Sequence, residues 1–270
     1  MTMVQLAADR TIPSTEFAVR ARYLLDVTLH LVGRQLSTRY RRSLLGWVWA
    51  LALPVGQLAV LNLVFTRIVP VGIHDYAAFL CIGIIAWGWL ATSLSLAAPS
   101  IEARRDLALR PGFPTPLLPA VAALAAFVDY LIALPLVLGL VAFYAGMSWA
   151  VLLLPALLAI QLLLVLGLSW LVAPLNVFFR DIAHFVSLLL LLGYFLTPIF
   201  YSRTSAPGSM SLLFDLNPMA WLIDAQRTIL LDGTLPAAGP LLVVAAASLA
   251  VAAGGLAVFN AIKPTLPDQL

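Results

Sequence analysis

Residues 117–144 read LLPAVAALAAFVDYLIALPLVLGLVAFY, an apolar run interrupted by one carboxylate, Asp129. As a helix rising 1.5 Å per residue it would reach about 40 Å, more than the roughly 30 Å hydrocarbon core of a bilayer. Working outward, comparable apolar blocks occupy 44–69, 76–98, 149–175, 185–200 and 240–259. The composition agrees: 63% hydrophobic and 10% charged, against roughly 45–50% and about 25% in soluble domains. The expected fold is an all-α membrane protein with six spans in residues 44–260, an N-terminal segment 1–43 and a tail 261–270.

Six spans with short connections use up the chain, so no room is left for a soluble catalytic domain of about 100 residues. Cys81 is the single cysteine and lies inside an apolar block, which excludes a disulfide framework or a cysteine metal site within one chain. No phosphate-cradling Gly-x-x-x-x-Gly-Lys loop, His-Glu-x-x-His or Gly-x-Ser-x-Gly occurs, and His30, His74 and His184 are scattered. No catalytic residue, metal or resident cofactor is expected, and nothing points to nucleic acid.

Charge placement gives an orientation. The first 43 residues are interrupted by seven arginines, so a cleavable signal peptide is not expected and the N-terminus is placed in the cytoplasm. Loops then alternate: twelve of the 15 cationic residues fall inside, and Arg67, Arg203 and Arg227 outside. That split fits six spans with both termini cytoplasmic.

Two segments read differently from spans. Along Phe17 to Leu36, apolar residues including Leu24, Leu31, Val32 and Leu36 share one side, with Arg22, Asp26, His30 and Arg34 on the other. An amphipathic interface helix is expected there, with Arg22 and Asp26 placed to pair at i,i+4. Residues 201–239 are broken by Pro207, Gly208, Pro218, Gly233 and Pro236, and contain a short amphipathic run, Met219 to Leu231. A re-entrant helical pair is expected, since irregular backbone at membrane depth survives only when covered by protein.

Asp129 is the one acidic residue well inside a span, and a carboxylate left in hydrocarbon costs several kcal/mol, so pairing with a neighbouring helix is expected. Trp47 and Trp49 open the first span, Trp87 and Trp89 lie near the middle of the second, and Tyr194, Phe195 and Tyr201 crowd the fifth. Some of these are interfacial anchors. Mid-membrane rings have no such task, and flat rings stack well on the C–H faces of sugars, which suits a passage for saccharide.

The run Arg39-Tyr40-Arg41-Arg42-Ser43-Leu44-Leu45-Gly46-Trp47-Val48-Trp49, followed by Pro54, resembles the basic junction before the first span of ABC-2-type permeases, the membrane subunits of polysaccharide, O-antigen and teichoic-acid exporters. Asn176-Val177-Phe178-Phe179-Arg180-Asp181-Ile182 resembles the Phe-Arg-Asp motif before that family's fifth span. Phe195-Leu196-Thr197-Pro198-Ile199-Phe200-Tyr201 and Leu216-Asn217-Pro218-Met219 are similar to its Thr-Pro-Ile-x-Tyr and Asn-Pro signatures.

The resemblance implies a homodimer working with two copies of a separate ATPase subunit, which would hold the Mg-ATP, in the bacterial inner membrane. It implies a coupling helix at about 99–110, carrying Glu102, Arg104, Arg105, Asp106 and Arg110, with Arg180 and Asp181 as a second contact or simply a helix start. The implied substrate is a polyprenyl-diphosphate-linked glycan. Arg39, Arg41 and Arg42 would pair with its diphosphate or else hold the first span by attraction to anionic membrane lipid. The aromatics would line the path, and Thr197, Pro198, Asn217 and Pro218 would form an outer gate. An exporter of a small amphiphile or drug shares this architecture, while a lipid-linked sugar transferase would need an acidic cluster that the chain lacks.

Overall fold

The computed structural model describes residues 14–40, 48–68, 72–203 and 211–270. It is all-α, with no strand among the described residues. In chain order the helices are α1 Ser14–Tyr40, α2 Val48–Leu63, α3 Tyr76–Ala97, the single turn α4 Arg105–Ala108, α5 Leu117–Tyr144, α6 Leu154–Phe178, α7 Ile182–Leu196, α8 Ser211–Leu216, α9 Pro218–Leu230, α10 Ala238–Ile262 and the short α11 Leu266–Gln269.

Among the described residues, five helical stretches are long and apolar enough to cross a membrane: Leu51–Ile68, Tyr76–Ala97, Leu117–Tyr144, Trp149–Phe178 and Ala238–Gln269. The sixth expected span is shorter. At 15 residues α7 reaches about 22 Å. Its end has a local cause: Pro198 disfavours helical backbone at the residue before it, and Thr197 is extended, with ψ 140°. Residues 197–200 then continue as buried, non-helical chain.

α3 is the central element, buried along most of its length against α5, α6, α7 and α9. Small residues set how closely the helices approach, which matters in a bilayer because association depends on packing and not on expulsion of water. The face of α5 toward its neighbours carries Ala122, Ala123, Ala125 and Ala126, all buried. Between α6 and α10 the backbones themselves touch: a Cβ on Gly167 would lie 2.5 Å from the carbonyl carbon of Val251.

α1 begins and ends beyond the expected helix, and its Arg22 and Asp26 form no ion pair among the described residues. An exposed pair of this kind gains at most about 1 kcal/mol, too little to fix two long side chains. The last turns of α1 run beside the start of α5: Val32 and Leu36 are buried with Val121 and Ala125. Beyond α10, residues 263–270 pack back as well, with Leu266 buried among Ile101, Leu118, Ala173, Val177 and Phe259.

Candidate functional site

The chemistry gathers at three places. The first is where α1 meets α5. Arg39, in the last turn of α1, forms an ion pair with Asp129, so the lone intramembrane carboxylate is bound to a neighbouring helix. A cavity of 490 Å³ opens beside the pair, between α2, α3 and α5, and its wall includes Trp89. Arg41, Arg42 and Trp47 lie outside the described residues, as does the side chain of Trp49.

The second lies between α3 and α5. In place of one continuous helix over 99–110, a 3-10 turn at Glu102–Arg104 leads into the single turn α4, which ends before Pro111. Ile101 is fully buried and pins the segment to the helices, while Arg105, Asp106 and Arg110 are exposed. Arg104 is half-buried and donates to Gln35 Oε1 of α1 at 2.7 Å. Burial, and then the nearby Arg34, lower its pKa. Arg180 and Asp181 are exposed at the turn before α7. Asp181 makes no capping bond there. That task falls to the buried Asn176, whose Oδ1 accepts from the amide of Ala183, seven residues on, at 3.0 Å.

The third is the opposite end of the bundle, where α7 stops. The carbonyls at 198–200 are buried and no longer bonded within a helix, and each must find a donor or cost free energy. Arg227 of α9 answers two of them. Its Nη1 donates to the Pro198 carbonyl at 2.6 Å and its Nη2 to that of Ile199 at 2.9 Å, while Nε and Nη2 also reach the Phe79 carbonyl. The Phe79 ring lies under the guanidinium, 3.4 Å away. Tyr76 donates to the Phe200 carbonyl at 2.9 Å. Burial lowers the pKa of Arg227 to about 9, against opposing pulls from Asp224 and Tyr76, so it stays charged at neutral pH. Asp224, 3.7 Å from it, has its pKa raised by burial, with Arg227 and Arg203 pulling the other way.

The four expected gate residues come together here. Asn217 donates from Nδ2 to Thr197 Oγ1 at 2.9 Å, and its Oδ1 caps α9 by accepting from the Met219 amide at 3.0 Å. Pro198 is held through its carbonyl, and Pro218 opens α9, where its missing N–H is no loss.

The aromatics divide. Trp87 joins Tyr194, which meets Phe195 and Phe200 edge-on. Tyr201 turns back so that its hydroxyl donates to the Phe195 carbonyl at 3.2 Å. Trp89 faces away, against Phe127 and Tyr130 of α5, with centroids 4.7 and 5.2 Å apart. Residues two apart on a helix point to opposite sides, so the two tryptophans pack in different aromatic clusters.

In the sequence Arg227 reads only as one of three outside arginines, and its contacts with three carbonyls are not visible there. Nor does the sequence show a buried chain in which Gln226 donates to Gln161 Oε1, and Gln161 to the Ala86 carbonyl, both at 2.9 Å. For the two glutamines the readable signal is a polar residue at a position whose i±3 and i±4 neighbours are apolar.

Residues 27–231 match the model of the family described as ABC-2 type transporter. A protein of Myxococcus xanthus, named O-antigen export system permease protein RfbA, is 35% identical over 245 residues, covering 90% of this chain and 94% of that protein. A protein of the same name from Klebsiella pneumoniae is 29% identical over 216 residues, covering 79% of this chain and 83% of its own length. With apolar helices of spanning length on both sides of the 99–116 turn, the match over 27–231 makes this multi-pass membrane chain a member of the ABC-2 type transporter family.

Proposed function

We propose that this chain is the permease of an ABC exporter that moves a polyprenyl-diphosphate-linked polysaccharide, of O-antigen, wall-galactan or teichoic-acid type, outward across the bacterial inner membrane. The observation that carries this reading is the 35% identity, across 90% of the chain, to a relative named for O-antigen export. Two copies would form the conduit. Energy would come from ATP bound with Mg in two separate ATPase subunits, seated against the exposed Arg105, Asp106 and Arg110 and the Arg180–Asp181 turn.

In this reading the termini and the 99–116 turn face the cytoplasm, and α8 and α9 form the outer re-entrant gate. The lipid diphosphate docks near Arg39, Arg41 and Arg42, where guanidinium forks match phosphate oxygens. The sugar passes Trp47, Trp49, Trp87, Trp89, Tyr194, Phe195 and Tyr201. Depleting the chain tests this directly: lipid-linked glycan should accumulate on the cytoplasmic side. Sensitivity to small amphiphiles with no glycan retained would favour the drug-exporter reading instead.

A further inference from the structure

The last helix outruns a bilayer. From Ala238 the helical course continues through α10, a 3-10 turn at Lys263–Thr265 and α11 to Gln269. Its 32 residues reach about 48 Å at 1.5 Å each, against a hydrocarbon core of roughly 30 Å. The excess emerges beside the 99–116 turn, and the sequence changes character to match. Phe259, Ile262, Leu266 and Leu270 follow at spacings of 3, 4 and 4 residues, one stripe of a helix, whereas Lys263, Asp268 and Gln269 are exposed. Through that stripe Leu266, 3% exposed, enters an apolar cluster with Ile101 and Val177. Ile101 leads into the segment that exposes Arg105 and Asp106, and Val177 lies in the last turn of α6, just before Arg180 and Asp181. Leu107 and Phe113 from the first turn and Phe178 from the second pack against the same cluster. Both turns thus share a core to which the tail contributes. The charges around it are of mixed sign: Arg105, Arg180 and Lys263 against Asp106, Asp181 and Asp268, and none of the six is in an ion pair among the described residues. Mixed, unpaired charge suits a protein surface that supplies complementary groups. An anionic membrane surface attracts cations alone.

We propose that the tail 263–270 is the third part of the surface on which the ATPase subunit sits. Its apolar stripe, through Leu266, fixes the two turns as one seat, and its polar face, through Lys263 and Asp268, touches that subunit. This rests on the reading of the seat given above and extends it to a segment which that reading leaves out. Leu266 is a positioning residue: it acts by setting where Arg105 and Asp106 stand relative to Arg180 and Asp181. A displacement delivered at either turn then reaches α6 and α10 together.

The test has two arms. In the first, hydrogen exchange is followed on the full-length chain in phosphatidylcholine nanodiscs. Leu266→Ala should speed exchange at 102–110 and at 178–184 together by about 30-fold, from the low end of what truncating a buried leucine costs. Exchange at 218–230 should stay as it is, which shows that the bundle is folded, and Leu266→Met should restore both turns. In the second arm, the permease is titrated with the ATPase subunit co-expressed with it. Lys263→Glu combined with Asp268→Lys, a swap at exposed positions, should weaken binding about fivefold, the scale of an exposed charge pair. Leu266→Ala should lower the permease-dependent kcat of ATP hydrolysis and leave the KM for ATP unchanged. Leu249→Ala, at a position on α10 that is 59% exposed, should alter none of these. Exchange that rises at one turn alone, or at neither, overturns the positioning role, and binding unmoved by the charge swap overturns the contact. If the wild-type permease binds no ATPase while Leu266→Ala still loosens both turns, the reading of the seat fails and the partner contact with it, while the packing stands.

Discussion

Arg227 on α9 and Pro198 beyond the end of α7 are joined by a 2.6 Å hydrogen bond from guanidinium to carbonyl, deep in the protein, where Arg227 is 5% exposed. The bond links two stretches 29 residues apart, and the same side chain holds Ile199 and Phe79. It explains how α7 can stop short and be followed by irregular chain: the carbonyls freed by the break receive a charged, multivalent donor. Helix α9, the Thr197–Phe200 segment and the start of α3 are thereby connected as one unit, so motion at this end would carry all three together.

Arg227→Gln should be among the most damaging single changes at this end. Removing one member of a buried charged network costs about 3–5 kcal/mol, and the carbonyls at 79, 198 and 199 lose donors together. Arg227→Lys should recover only part, since an ammonium cannot fork to three carbonyls. Thermal unfolding in detergent, with limited proteolysis near 197–203, reads both effects; equal melting of wild type and Arg227→Gln would refute the clamp.

Asn217 has two separable tasks. Asn217→Asp keeps the oxygen that caps α9 and loses the donor to Thr197, whereas Asn217→Ala loses both. The alanine variant should lose about 1–2 kcal/mol from the cap alone, and the aspartate variant less. Thr197→Val should be additive with Asn217→Asp only if the side chains do not touch, so a double-mutant cycle measures the contact.

Gly193 lets α7 approach the indole of Trp87. A Cβ there would lie 2.7 Å from the ring, so Gly193→Ala should destabilise by about 1–3 kcal/mol through overpacking. Trp87→Phe removes the obstructing edge and should restore much of that loss. Failure of the second change to rescue the first, measured by thermal unfolding, would show that the glycine serves another purpose.

Arg39 and Asp129 should couple by about 1–2 kcal/mol, between an exposed pair and a buried one. A cycle of Arg39→Gln, Asp129→Asn and the double variant measures it, with hydrogen exchange across 14–40 as the structural readout. Asp129→Asn should loosen that helix, and a coupling indistinguishable from zero would remove the pair as an anchor.

Helix content and span positions were legible because a bilayer demands long apolar runs, and runs survive in the sequence without knowledge of contacts. The boundary of α7 was not. Apolarity continues through Ile199 and Phe200, and the break is decided by Pro198 and by donors arriving from α9 and α3. Asn217, Pro218, Thr197 and Pro198 could be picked out as motifs, yet the bond between Asn217 and Thr197 joins positions 20 residues apart. Trp87 and Trp89 were naturally grouped because they are near neighbours in sequence, although helix geometry sends them to different partners.

By itself the sequence determined that this is a multi-span helical membrane protein, since hydropathy is a local property of the chain. Only the tertiary structure decided which polar groups meet inside it: Arg39 with Asp129, Gln226 with Gln161, and Arg227 with three carbonyls. In a low-dielectric interior a polar group is tolerated when a partner reaches it, and that partner is chosen by how helices distant in sequence pack.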